Sequence, residues 1–146
     1  MIADVLLRAV NEADLPIFYA HQLDPLAAQM AGFTSRDWEA FLPHWTRILA
    51  NPAISKQTIL FEGQVAGNIV AFTQSGERDV GYWLWREYWG KGIATRALAA
   101  FLTLEPARPL HARVARHNPA SRRVLEKCGF RQAGEDGEEL ILKLGE

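Results

Sequence analysis

Cysteine is nearly absent from this chain: Cys128 is the only one in 146 residues. It has no partner for an internal disulfide and cannot build a cysteine-rich zinc site, so a reducing, cytoplasmic setting is expected. An excess of charge of one sign is also lacking. Sixteen Lys+Arg stand against seventeen Asp+Glu, a net charge of -1, and nothing in that balance points to nucleic acid or an anionic membrane as partner. No run approaches the roughly 20 apolar residues that span a bilayer. The opening MIADVLLRAV is too short for the usual layout of a signal peptide, and no small-residue cleavage site follows it. The expectation is a protein that is neither exported nor membrane-bound. Repeats, low-complexity tracts and linkers are missing. The four histidines, His21, His44, His111 and His117, show no paired ligand spacing with carboxylates, so no metal is expected.

What remains is ordinary globular material, 49% hydrophobic and 23% charged, of a length that suits one domain over 1–146. Residues 5–10 read as a first strand. Asn11 or Asp14 caps a helix with Pro16 in its first turn and an apolar face of Leu15, Phe18, Tyr19 and Leu23. The Asp-Pro pair at 24–25 breaks it. Thr34 or Ser35 starts a second helix that buries Trp38, Phe41, Leu42, Trp45, Ile48 and Leu49, is kinked at Pro43, and ends at the Asn-Pro pair 51–52. Residues 58–61 and 65–72 flank a turn at 62–64 and read as a hairpin. A strand over 80–85, a helix over 93–104, a strand over 110–114 and a helix opened by Asn118-Pro119 and closed by Gly129 follow. Two β-like segments, 130–133 and 139–144, close the chain. The order β-α-α-β-β-β-α-β-α-β-β defines an α/β (α+β) fold with a largely antiparallel sheet flanked by helices.

Chemistry concentrates at 80–98, VGYWLWREYWGKGIATRAL. A strand enters a glycine-containing turn and then a helix. The first turn of such a helix has unpaired N–H groups and the positive end of its dipole, and Gly90 and Gly92 let a ligand approach the backbone. That is the physical design of a phosphate or pyrophosphate site, with Lys91 adding a mobile positive charge. A Walker loop is excluded, since Trp85 and Gly92 stand where it needs Gly and Ser/Thr. A dinucleotide fingerprint fares badly, with Thr95 in its third glycine position and no acidic residue over 112–115. An acyl-CoA pyrophosphate loop is the third reading.

Together with NPASRRVLEKCGF at 118–130, this stretch resembles the GNAT superfamily of N-acetyltransferases, and within it the RimJ/RimL-like branch. The element order resembles that fold over nearly the whole chain. The resemblance implies acetyl-CoA in a V-shaped gap between the strands at 80–85 and 110–114. The backbone of Leu84, Trp85 and Arg86 would pair with the pantetheine arm, with a backbone N–H near Leu84 polarising the acetyl carbonyl. The amides of Gly90, Lys91, Gly92, Ile93, Ala94 and Thr95 would hold the pyrophosphate. Asn118 would bond the pantetheine, and Arg123 would reach a CoA phosphate or face solvent. An amine would attack the thioester directly, in a ternary complex. Asp79, just ahead of the strand, would take the ammonium proton, with Glu77 as the fallback. The tyrosine many relatives place in the last helix is here Leu125, and Ser121 is the polar group of this branch. Phe33, Trp38 and Tyr82 would wall the acceptor, a small-molecule or peptide amine.

Simpler readings stand beside these. The aromatics at 82–89 serve equally as core, Asn118 as a plain N-cap, and Asp79 and Glu77 as solvated turn residues. Arg122, Arg123, Glu126 and Lys127 read as the wet face of a helix, and Cys128 as a small buried hydrophobe. A non-catalytic acyl-CoA-binding module of the same fold is the alternative to an enzyme. A monomer or homodimer fits either.

Overall fold

A computed structural model describes residues 4–31 and 34–145. Among them the order is β1 (Val5–Ala9), α1 (Leu15–Gln22), α2 (Pro25–Ala31), α3 (Trp38–Ala50), β2 (Ser55–Phe61), β3 (Gln64–Gln74), β4 (Glu77–Leu84), α4 (Ile93–Leu102), β5 (Leu110–Ala115), α5 (Pro119–Lys127), β6 (Arg131–Asp136) and β7 (Glu139–Leu144). The strands form a seven-stranded sheet in the order β1-β2-β3-β4-β5-β7-β6. Neighbours are antiparallel except β4 and β5, which run parallel. This is the mixed, largely antiparallel architecture expected from the sequence.

Tight turns set the register of the front half. The β2–β3 and β3–β4 hairpins turn at Glu62-Gly63 (φ 51 and 79) and Ser75-Gly76 (φ 53 and 80). Positive φ at both central residues matches the right-handed twist of the strands they join. Helices cover both faces. Val80, Leu84, Leu110, Ala112 and Val114 pack with Ile93, Leu98 and Phe101 of α4 and Leu125 of α5 on one face. Leu15 and Phe18 of α1 and Phe41 and Trp45 of α3 pack against Val65 and Val70 on the other. Along β4 and β5 the alternate residues, Asp79, Gly81 and Trp83 with His111 and Arg113, therefore face the α1–α3 layer.

Three expectations need correction. The Asp-Pro pair at 24–25 does end α1, but it also opens a further helix, α2. The Asp24 carboxylate accepts the Leu26 N–H at 3.2 Å, and Pro25 occupies the first position, where a missing N–H costs little. The next helix starts at Trp38 and not at Thr34 or Ser35, because Asp37 caps it by accepting the Ala40 N–H at 2.9 Å. Within α3, Phe41 and Trp45 are buried but Trp38 and Leu42 are each 37% exposed: they lie on the flanks of the buried stripe. The helix continues past Pro43 to Ala50.

Gly67 sits where β3 presses on β4. A Cβ added there would overlap the Trp83 carbonyl oxygen. Gly67→Ala should therefore lower stability by about 2–4 kcal/mol. A fall in the urea midpoint measures this, and an unchanged midpoint would show that the two strands can separate at little cost.

Candidate active site

The parallel contact between β4 and β5 is short. The strands are in register only at Arg78↔Leu110 and Asp79↔His111. Beyond that point β4 stays with β3 up to Leu84, while β5 stays with β7 up to Ala115, so the two diverge. The Trp85 amide donates to the Ala66 carbonyl of β3 at 2.8 Å. By the two-residue alternation of a strand, the Tyr82 and Leu84 amides point the opposite way, into the gap, where β5 offers no ladder partner. The Leu84 carbonyl on that edge is taken by Trp89 Nε1 at 2.9 Å. Leu84 thus presents a donor to the gap, whereas the Trp85 amide is already used. The Trp85 carbonyl in turn accepts the Tyr88 N–H at 2.9 Å.

The gap opens into a cavity of about 480 Å³. The strand segments 80–84 and 112–115 form two of its walls, and Gly90, Gly92 and the first turn of α4 form its end. Gly90 and Gly92 adopt φ of 75 and 77, the left-handed region open to glycine, and a Cβ on either would meet nothing within 4 Å. Gly92 is the N-cap of α4 and no side chain caps it. The helix's first i→i−4 bond runs from the Arg96 N–H to the Gly92 carbonyl, 3.2 Å. The amides of Ile93, Ala94 and Thr95 precede it and have no intrahelical acceptor, so three donors and the positive dipole end meet at one spot. Arg123 and Lys127, one turn apart on α5, line the same cavity. Arg122 instead pairs with Glu126 at 3.4 Å. The helix read as a wet face thus turns two of its cations to the cavity.

At the N-terminus of α5, Asn118 Oδ1 accepts the Ser121 N–H at 3.2 Å, so the capping reading of Asn118 is realised, and both residues line the cavity. The Ser121 hydroxyl lies 2.8 Å from the Tyr82 hydroxyl, a bond across the gap from helix to strand. Burial raises the Tyr82 phenol above its ordinary value, with Ser121 acting in the opposite direction, so it stays protonated. Leu125 is a core residue at 3% exposure. Cys128 donates to the Thr95 carbonyl at 3.6 Å, and burial pushes its thiol up, which suits a structural thiol better than a nucleophile.

Asp79 lies inside β4, not ahead of it, and is 7% exposed. Burial raises its carboxyl above the ordinary range, and Arg113 and His111 oppose that in part. Glu77, Asp79 and His111 bring ligand-type atoms within 4.8 Å of one another, with His111 Nδ1 4.0 Å from Glu77 Oε2. Linear spacing hid this group because its members come from two strands paired in parallel. Such a trio can pass a proton from a buried carboxylate to the exposed Glu77.

Among the expected residues, Asp79, Trp85, Arg86, Lys91 and Trp38 do not line the cavity, although Asp79 adjoins Val80 and Lys91 stands between Gly90 and Gly92, which do. Trp85 stacks on His21 (5.0 Å, 21°), and Arg86 pairs with the buried Asp24 at 3.0 Å. Trp38 packs edge-on against Tyr19. Phe33 lies outside the described residues. Ala27, Met30 and Ala31 of α2 line the cavity. The signal for them was the run PLAAQMA after Asp24, an apolar helix opened by an Asp cap and a first-position proline.

His21 is 5% exposed, and burial lowers its imidazole to about 4. The unfolded chain gains a proton near 6.5 and the folded one only near 4. Stability therefore falls between those pH values as pH drops, by about 3 kcal/mol in all, and this contribution is flat below them. Urea unfolding at pH 7 and pH 4.5 should show a larger loss for wild type than for His21→Gln. Equal losses would show that water reaches the ring.

The profile of the acetyltransferase (GNAT) domain matches residues 4–131. The chain belongs to the GNAT acetyltransferase family. It is 30% identical over 103 residues to the Bacillus subtilis (strain 168) protein named "Putative ribosomal N-acetyltransferase YdaF", a match covering 66% of this chain and 56% of that protein. The chain thus spans little more than half the length of that relative. Among solved structures, an acetyltransferase from Agrobacterium tumefaciens str. C58 superposes with a TM-score of 0.82 at 21% identity, covering 100% of this chain and 95% of that one. The spermidine N-acetyltransferase of Vibrio cholerae, solved with CoA and spermine, superposes with a TM-score of 0.79 at 15% identity, covering 95% and 92%. At those identities the likeness is one of fold. No helix among the described residues is long and apolar enough to cross a membrane.

Proposed function

We propose that this chain is an acetyl-CoA-dependent N-acetyltransferase acting on a primary amine by direct attack in a ternary complex. The observation that carries the reading is the convergence of the β4–β5 gap and the uncapped α4 N-terminus on one cavity. The residues present fit the cofactor. Three open amides and the side chains of Arg123 and Lys127 suit a diphosphate, and a strand edge with unpaired amides suits the pantetheine. Bound acetyl-CoA supplies the activated acetyl group.

The chain's own residues divide the remaining work. The Leu84 N–H donates to the acetyl oxygen as charge develops there. Asp79 accepts the ammonium proton through water, and His111 and Glu77 give that proton a route outward. Ser121 donates to the departing sulfur. Asn118, spending its oxygen on the Ser121 amide, keeps its NH₂ for the pantetheine. Walls from α2, β4 and β5 orient the amine and exclude water, so much of the rate arises from positioning. The motif at 118–130 favours the RimJ/RimL-like branch and a cytoplasmic setting. Ribosomal, aminoglycoside and polyamine amines are the acceptor types that the names of similar proteins bring forward.

Thiol release from acetyl-CoA, followed with a thiol reagent across N-terminal peptides, amino acids and polyamines, tests the proposal. Amine-dependent release is expected for at least one class. Tight acetyl-CoA binding with no amine-dependent release would favour the non-catalytic binding module instead.

A further inference from the structure

We infer that Tyr82 of β4 is a positioning residue for the leaving-group step, holding the Ser121 hydroxyl so that its hydrogen points at the sulfur of coenzyme A. This rests on the acetyltransferase reading above. The geometry begins with the 2.8 Å bond between the Tyr82 and Ser121 oxygens, at residues that both line the cavity and sit on facing elements, a strand and a helix N-terminus. A serine hydroxyl has one hydrogen and two lone pairs, and nothing in serine alone decides where that hydrogen points. Tyr82 settles this if its phenol donates to Ser121 Oγ. One serine lone pair is then taken, and the serine hydrogen is left for a third atom.

The surroundings support that direction of donation. Tyr82 is half-buried against the apolar core, and that burial raises its phenol above the ordinary value and makes it a standing donor. A hydrogen bond received by Ser121 polarises its own O–H and strengthens the bond it gives, the cooperative behaviour of donor chains in a low-dielectric site. The helix position seven residues after Asn118 carries Leu125, sealed in the core, so no phenol reaches the sulfur from that turn. The strand contributes one from the opposite side, at one remove. The sequence suggested Tyr82 as an acceptor-wall residue, but its bond to Ser121 joins positions 39 residues apart and has no local signal.

The step balances. The amine nitrogen bonds to the acetyl carbon and its proton passes to Asp79 and then to solvent. The carbon–sulfur bond breaks with its electron pair going to sulfur. The Ser121 hydrogen bond, reinforced by Tyr82, stabilises the thiolate until it takes a proton from solvent. Neither hydroxyl has to ionise, which suits two groups of such weak acidity.

The test begins with bound product and needs no knowledge of the acceptor. The thiol of CoA bound to wild type, Tyr82→Phe and Ser121→Ala is titrated by thiolate ultraviolet absorbance. Arg123 and Lys127 of α5, Cys128 at its C-cap, Tyr88, Asp79 of β4 and His111 and Arg113 of β5, the other charged or titratable groups at or beside the cavity, are the same in all three proteins. The thiol should titrate about one pH unit higher in either variant than in wild type. It should be no higher in the double variant than in Ser121→Ala alone. With an accepted amine, Tyr82→Phe should lower kcat about tenfold, leave KM for acetyl-CoA within twofold, and lower kcat no further in a Ser121→Ala background. An unchanged thiol titration in Tyr82→Phe, or a Tyr82 effect of full size without Ser121, would overturn the inference while leaving the acetyltransferase reading intact. Failure of wild type to bind CoA would overturn both.

Discussion

Gly92→Glu is expected to reduce acetyl-CoA affinity by about a hundredfold or more while leaving the protein folded. Gly92 is the N-cap of α4, at φ 77, and a Cβ there meets no atom within 4 Å. The substitution forces a side chain into the left-handed region at roughly 1–2 kcal/mol, too little to unfold a domain of ordinary stability. The added carboxylate sits beside the open amides of Ile93, Ala94 and Thr95. It competes for the same donors and the same dipole end that would hold a diphosphate, and it repels that diphosphate directly. Gly92→Ala carries the same backbone strain without the charge and should lose less than about tenfold. Calorimetric titration of both variants separates charge from strain. Equal and small losses in the two would mean the anion lies elsewhere.

Asp79→Asn is expected to lower kcat/KM by about 10² to 10⁴ with little change in acetyl-CoA affinity. Asparagine keeps the shape but cannot accept a proton. The sign of the pH dependence follows from burial. The Asp79 carboxyl lies above its ordinary 3.8, and Asp79 must be ionised to act, so wild-type activity should fall as pH drops through that raised value. The limb should vanish in the variant, whose residual rate would follow the amine alone. Stability moves the other way. A carboxyl harder to ionise in the folded chain than in the unfolded one weakens the fold once pH exceeds the unfolded value, so Asp79→Asn should raise Tm at neutral pH. A pH–rate profile that keeps its acidic limb in Asp79→Asn would move the base to Glu77 or His111.

The sequence revealed the strand–GKG–helix unit and the Asn118–Ser121 cap because both are local. Glycine conformation, a helix start and an N-cap are decided by residues a few positions apart. The β2–β3 hairpin and the order of elements along the chain were visible for the same reason. Misplaced or missed features depend on distant partners. Trp85 looked like an edge donor, but strand parity gives its amide to Ala66. Glu77, Asp79 and His111 meet only because β5 returns parallel to β4. Lys127 faces the cavity because of how α5 packs, not because of its neighbours in sequence. Helix α2 was hidden behind an Asp-Pro pair that can both end and begin a helix, so the cavity wall it supplies was not foreseen.

The central claim is that the open amides at the start of α4 grip the diphosphate of coenzyme A while the pantetheine lies along β4. A crystal structure of the full chain with CoA tests it most directly. The account predicts diphosphate oxygens within hydrogen-bond distance of the Ile93, Ala94 and Thr95 amides, and the sulfur beside Ser121. A diphosphate bound away from α4, or a cavity closed by β4 and β5 coming together, would contradict it.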